Sequence, residues 1–195
     1  MDQARFQEAL AAFDRANAED PNHIESEAGP RPRELVHAER LLAWVARLEA
    51  TPSEALALAV RCQHIRRWQI PRASFPAGRV GYLQWRTQLA RFHADTAARI
   101  LTDLGYERDT IDAVRRINLK QNLHSNPDSQ TMEDALCLEF LENEFEDFSA
   151  KHPPDKVSDI LRKTWKKMSP RGHAHALELP LSAAALELIS RALNA

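Results

Sequence analysis

Residues 83–104 read LQWRTQLARFHADTAARILTDL, and this stretch decides the fold. Leu89, Phe92, Ile100, Leu101 and Leu104 recur at three- and four-residue intervals or their multiples, which puts them on one face of an α-helix. Gly105 follows as a stop, because glycine accepts the left-handed backbone in which helices commonly end. His93 is in phase with Ala97, Ile100, Leu101 and Leu104, so an imidazole faces the same way as the apolar stripe.

The same spacing recurs on both sides of this stretch. It predicts helices over about 2–18 with Phe6, Leu10 and Phe13, and over about 34–48 with Leu41, Trp44, Val45 and Leu48. A third is capped by Ser53, carries Leu58, Ala59 and Cys62, and stops before Pro71. Asp109 is expected to cap a fifth, a sixth follows the turn Asn126-Pro127-Asp128 over about 131–148, and two more cover 154–168 and 181–193. The proline-rich polar stretch between the first two helices reads as loop, and nothing alternates strictly enough to be a strand. The expectation is one all-α domain over 1–195, a helical bundle.

Composition agrees. A chain of 195 residues, 44% hydrophobic and 28% charged, can bury a core without staples. Cys62 and Cys137 lie far apart inside helical patterns, which argues against a disulfide framework or a cysteine zinc site and points to a reducing cytoplasm. No apolar run approaches the roughly 18 residues a membrane helix needs, and the N-terminus has no secretion-signal pattern, so no membrane partner is expected.

The net charge of -2 conceals a segregation. Seven arginines and no carboxylate lie between Glu54 and Asp95, interleaved with Trp68, Tyr82 and Trp85, whereas eight carboxylates and no lysine or arginine lie between Lys120 and Lys151. The blocks either pair across a helix interface or mark a site. Arginines among aromatics suit planar, two-pronged recognition of phosphate, which makes Arg66, Arg67, Arg72, Arg86, Trp68, Tyr82 and Trp85 candidate substrate contacts.

Titratable residues in phase with an apolar stripe must be satisfied inside or serve a site. His37, His93 and Asp134 meet that test; Lys120 follows Val114 and Ile117 at helical spacing, and His64 directly precedes the arginine segment. Glu139, Glu142 and Glu146 read as a solvated face, while His23, His124 and His152 fall in polar, solvent-facing loops. His173 and His175, two apart, do not share a helical face. There is no G-x-S-x-G elbow, phosphate-binding glycine loop, Rossmann fingerprint or H-E-x-x-H, so those chemistries are disfavoured.

The order HAERLLAWVARL (37–48), SEALALAVRCQHI (53–65), FHADTAARILTDLGY (92–106) and QTMEDALCLEFLE (130–142) resembles an HD-domain helical core over about 34–148. That superfamily consists mostly of metal-dependent phosphohydrolases. The resemblance implies His37 as first ligand, His64 as the histidine of the His-Asp dyad, His93 as an additional-site histidine and Asp134 as the late aspartate. Ile65 stands where the dyad has aspartate, and Lys120 about where many such proteins have another histidine. More closely, QHIRRWQIPR (63–72), GYLQWRTQLARFHA (81–94), RKTWKKM (162–168) and RGHAHALELPL (171–181) resemble the uncharacterised family called domain of unknown function 4202.

Two functions are therefore expected. In the first, His37, His64 and Asp134 hold one divalent Zn, Fe or Mn with a position open for water, Arg67, His93 and Lys120 assist, and a nucleotide-like or other phosphorylated small molecule is hydrolysed. In the second, the scaffold is metal-free and the arginine window binds an anion, a nucleotide or, less favoured, RNA.

Overall fold

Helix α1 (Gln3–Ala18) begins where the Asp2 carboxylate accepts the backbone N–H groups of Ala4 and Arg5. The computed structural model describes residues 2–26, 29–123 and 125–194. Beyond α1 the stretch expected as loop contains a minimal antiparallel pair, β1 (His23–Ile24) with β2 (Arg31–Pro32). Helix α2 (Arg33–Leu48) follows at once, its Glu34 N–H capped from a distance by buried Asp20. Ser53 caps α3 (Glu54–Cys62) by accepting the Leu56 N–H, as the sequence suggests.

The remaining elements are α4 (Gly78–Asp103), α5 (Arg108–Asn118), α6 (Pro127–Asn143), α7 (Phe145–Ala150), α8 (Pro154–Lys167), α9 (Pro170–Leu177) and α10 (Ala183–Asn194). The fold is all-α, and one buried cluster runs through it. Phe13 of α1, Leu41 and Trp44 of α2, Leu58 of α3, Leu101 of α4, Ile117 of α5, Leu138 of α6, Leu161 of α8 and Ile189 of α10 all belong to it. Helix α2 packs on α3 and α6, α5 on α3 and α4, and α8 on α10. No helix among the described residues is long and apolar enough to cross a membrane.

Boundaries differ where burial is thin. Helix α4 starts at Gly78, earlier than expected, because its first turns carry exposed apolar residues such as Val80, 71% exposed, which mark no stripe. The expected helix over 131–148 breaks at Glu144 into α6 and α7. Glu107, not Asp109, takes the cap position of α5. Helix α9, absent from the sequence reading, buries only Gly172 and Ala176 and so shows no large apolar periodicity.

Candidate functional site

Helix α3 ends at Cys62, and Arg66 then adopts a left-handed backbone (φ 53°), a conformation that costs a non-glycine residue about 1–2 kcal/mol. The tight turn directs Arg66 outward to Glu19, 3.1 Å away, while His64 and Arg67 line a cavity of about 670 Å³. Lys120, also left-handed (φ 55°) beyond the end of α5, lines the same cavity and is ion-paired to Glu133 of α6. Arg86 of α4, His37 of α2 and Glu139 and Glu144 of the α6–α7 segment complete the polar wall.

Three imidazoles converge here from three parts of the chain. The His37 and His64 rings stack at 4.4 Å with planes 7° apart, and His64 and His93 lie 5.8 Å apart. Carboxylates flank them: Glu139 Oε2 is 3.4 Å from His37 Nδ1, and Glu34 Oε2 is 3.5 Å from His64 Nδ1. Arg67 Nε is 3.9 Å from Glu34 Oε1, and its guanidinium lies over the Trp85 ring at 5.1 Å. His93 is 3% exposed and its Nδ1–H donates to the Ile65 carbonyl at 2.7 Å, leaving Nε2 as a buried lone pair without a partner.

Burial sets the protonation of this cluster. It drives His64 well below the usual imidazole range, with His37 and Arg67 adding to the shift, and it pushes His93 down to about 4 against the pull of the Ile65 carbonyl. Burial also raises Glu34 despite its cationic neighbours. For Glu133 burial pulls upward, but Lys120 and Lys167 outweigh it and hold the carboxyl below its ordinary value.

A pH dependence follows from His93. The unfolded imidazole takes a proton near 6.5 and the folded one only near 4, so between those values the unfolded state binds more protons. Stability is therefore expected to fall as pH drops from about 6.5 to about 4, by about 3 kcal/mol from this group. Urea unfolding across that window measures it, and His93→Gln should flatten the slope; an unaltered slope in the variant contradicts the assignment.

Of the expected metal set, the structure brings His37 and His64 together but not Asp134. Asp134 is fully buried and accepts from Ser169 N–H at 2.8 Å, Ser169 Oγ–H at 2.5 Å and Gln130 Nε2 at 3.1 Å. Nor can the stacked pair share an ion. A metal lies in the plane of each ligating imidazole about 2.0–2.1 Å from its nitrogen, and two nearly parallel planes do not meet near either ring. The set His37, His64 and Asp134 is thus corrected: these residues do not form one centre. Donors that do converge are His37, Glu139 and Glu144, with one ligand atom from each within 4.8 Å of the others. Glu139 is not solvated but 2% exposed, and its spacing from Met132 and Ala135, both buried, is the signal that could have found it.

The arginine window divides. Only Arg67 and Arg86 reach the cavity. Arg72 donates to the carbonyls of Phe75 and Pro76 at 3.0 and 2.9 Å, bracing the loop before α4. Trp85 is buried, its indole N–H donating to Ile70 O, while Tyr82 tilts against it, half exposed; Trp68 and Arg72 line a side cleft. Among the described residues none of the seven arginines pairs with the eight-carboxylate block; Arg33, Arg40 and Arg47 of α2 meet Glu144, Glu139 and Glu142 instead, each at 3.9 Å. His152 is partly buried: it packs on Phe148 and lines the cavity, with Nδ1 3.4 Å from the exposed Lys156 ammonium. His23 is exposed, and His124 lies outside the described residues.

A family model described as a domain of unknown function (DUF4202) matches residues 7–189. No curated protein and no solved structure matches the chain.

Proposed function

Because this chain belongs to the DUF4202 family, whose description carries no activity, we propose its function from the cavity: a metal-independent binding module for a nucleotide-like or other phosphorylated small molecule. The observation that carries this reading is Arg86, a cavity-wall cation with no ion-pair partner among the described residues, lining the same cavity as Arg67 and Lys120. Guanidinium and ammonium groups from three elements can surround a phosphate, and neutral His64 adds a hydrogen bond without a charge to desolvate. Glu133, Glu139 and Glu144 on the same wall disfavour a long polyanion, so one small ligand suits the cavity better than RNA. Two buried free thiols, Cys62 and Cys137, accord with a cytoplasmic location.

Titration calorimetry with pyrophosphate tests the reading. Binding should weaken with added salt, persist in chelator, and fall roughly tenfold in Arg86→Ala, as the loss of a charge-assisted contact implies. Binding abolished by chelator would overturn it.

A second reading, an HD-like metal-dependent phosphohydrolase, is favoured by the convergence of His37, Glu139 and Glu144. A divalent Zn, Fe or Mn held there would supply an acidified water and polarise a bound phosphate. Elemental analysis of protein purified without chelator separates the two. This reading expects about one metal per chain, lost in His37→Ala and Glu139→Gln and kept in Asp134→Asn; a metal-free parent protein removes it.

A further inference from the structure

Beside the main cavity lies a cleft of about 370 Å³ whose apolar walls are Trp68, Ile70, Pro71 and Trp85. Arg33, Glu34 and Arg67 line both spaces, so the two compartments adjoin along those residues. We infer that the cleft receives a planar aromatic ring belonging to the same molecule whose phosphate occupies the main cavity, making the ligand a ring joined to phosphate as in a nucleotide. This rests on the phosphate-binding reading above and extends it.

The two indoles differ in what they already do. Trp85 is engaged: its N–H donates to Ile70 O, Arg67 lies over its face, and Tyr82 tilts against it at 5.8 Å. Trp68, half-buried, makes no hydrogen bond and no ring contact among the described residues. A half-buried indole lining a cleft beside an anion-binding wall is a surface on which a heterocycle gains, because stacking needs only a π-face. Arg72 holds the carbonyls of Phe75 and Pro76, so this wall is braced before any ligand arrives.

The seam between the compartments has the chemistry of the link between ring and phosphate. Arg67 sits there with its guanidinium over Trp85, placed to reach phosphate on one side and ring on the other. Glu34, its side chain 7% exposed, has a buried Oε2 without a hydrogen-bond partner, facing His64 Nδ1 at 3.5 Å. That oxygen is closed to a ligand, so the carboxylate's part at the seam is to hold His64 and, through Oε1 at 3.9 Å, Arg67 in place. A ligand consisting of phosphate alone would leave the cleft beside Trp68 unused.

The test compares ATP, GTP, CTP and UTP with inorganic tripolyphosphate on the full chain, by calorimetry and tryptophan fluorescence. At least one nucleotide should bind roughly tenfold more tightly than tripolyphosphate. Trp68→Ala should erase that advantage while leaving tripolyphosphate affinity unchanged, and Trp68→Phe, which keeps a ring, should retain most of it. Equal binding of nucleotides and tripolyphosphate overturns the ring cleft and leaves the anion site standing; failure of both to bind overturns the anion site and the cleft with it.

Discussion

Asp134→Ala is expected to destabilise the protein by about 3 kcal/mol or more, lowering its thermal midpoint by about 6–12 °C for a chain of this size. The fully buried carboxylate takes two hydrogen bonds from Ser169 and one from Gln130, and alanine leaves those donors facing a dry gap. Ser169 is also the N-cap of α9, its Oγ accepting the Gly172 N–H, so the loss spreads to the start of that helix. The fit is close: a Cβ at Gly172 would stand 2.7 Å from Asp134 Oδ1, so the carboxylate packs directly against the α9 backbone and its removal leaves that backbone without its neighbour. Thermal melting reads the loss, and pyrophosphate titration of the folded variant should show affinity retained. Unchanged stability together with loss of a bound metal would restore Asp134 as a ligand and remove the latch.

Asp134 also shows where the sequence stops being legible. Its phase with Leu138, Leu141 and Phe145 correctly marks it as interior, but the partner that satisfies it, Ser169, lies on another element, and no local pattern links the two. Local signals served in part: the Ser53 cap is present, and Leu89 and Leu101 are buried with Phe92 and Ile100 half-buried, but the turn expected at Asn126-Pro127-Asp128 is the cap and first turn of α6. Helix α9 escaped because its packing depends on a glycine and an alanine, which carry almost no hydrophobic signal. Periodicity marks His37, His64 and His93 only as three inward-facing or helix-end imidazoles; it is the resemblance to an HD core that sets them at one site, since only tertiary packing brings α2, the turn after α3 and α4 together. Within the arginine window, identical residues have unlike fates: Arg61 is ion-paired to Asp14 and Arg66 to Glu19, both of α1 or its end, while Arg86 has no ion-pair partner among the described residues. Composition registers the charge but not which carboxylate a distant helix brings to it.

Gly81→Ala separates helix propensity from tertiary fit, because the two give opposite signs. Gly81 lies within α4, where alanine is favoured over glycine by about 1 kcal/mol if nothing else intervenes. A Cβ there would stand 2.0 Å from the Pro76 carbonyl oxygen and 2.7 Å from its carbon, backbone atoms that no rotamer change can move aside. The Pro76 carbonyl is in turn held by Arg72, so relief requires the whole braced loop or the first turns of α4 to shift. Overpacking of this kind costs about 1–3 kcal/mol, enough to outweigh the propensity gain. The functional effect should exceed the loss of stability. Trp85 and Arg86 follow Gly81 by little more than one turn, so a displaced helix start moves the cleft wall and the Arg86 cavity cation together. Urea unfolding should show a lowered midpoint, and pyrophosphate affinity should drop at least as far as in Arg86→Ala, roughly tenfold. A raised midpoint with affinity intact would mean that the loop yields freely and that Arg86 is positioned by something other than the Pro76–Gly81 contact.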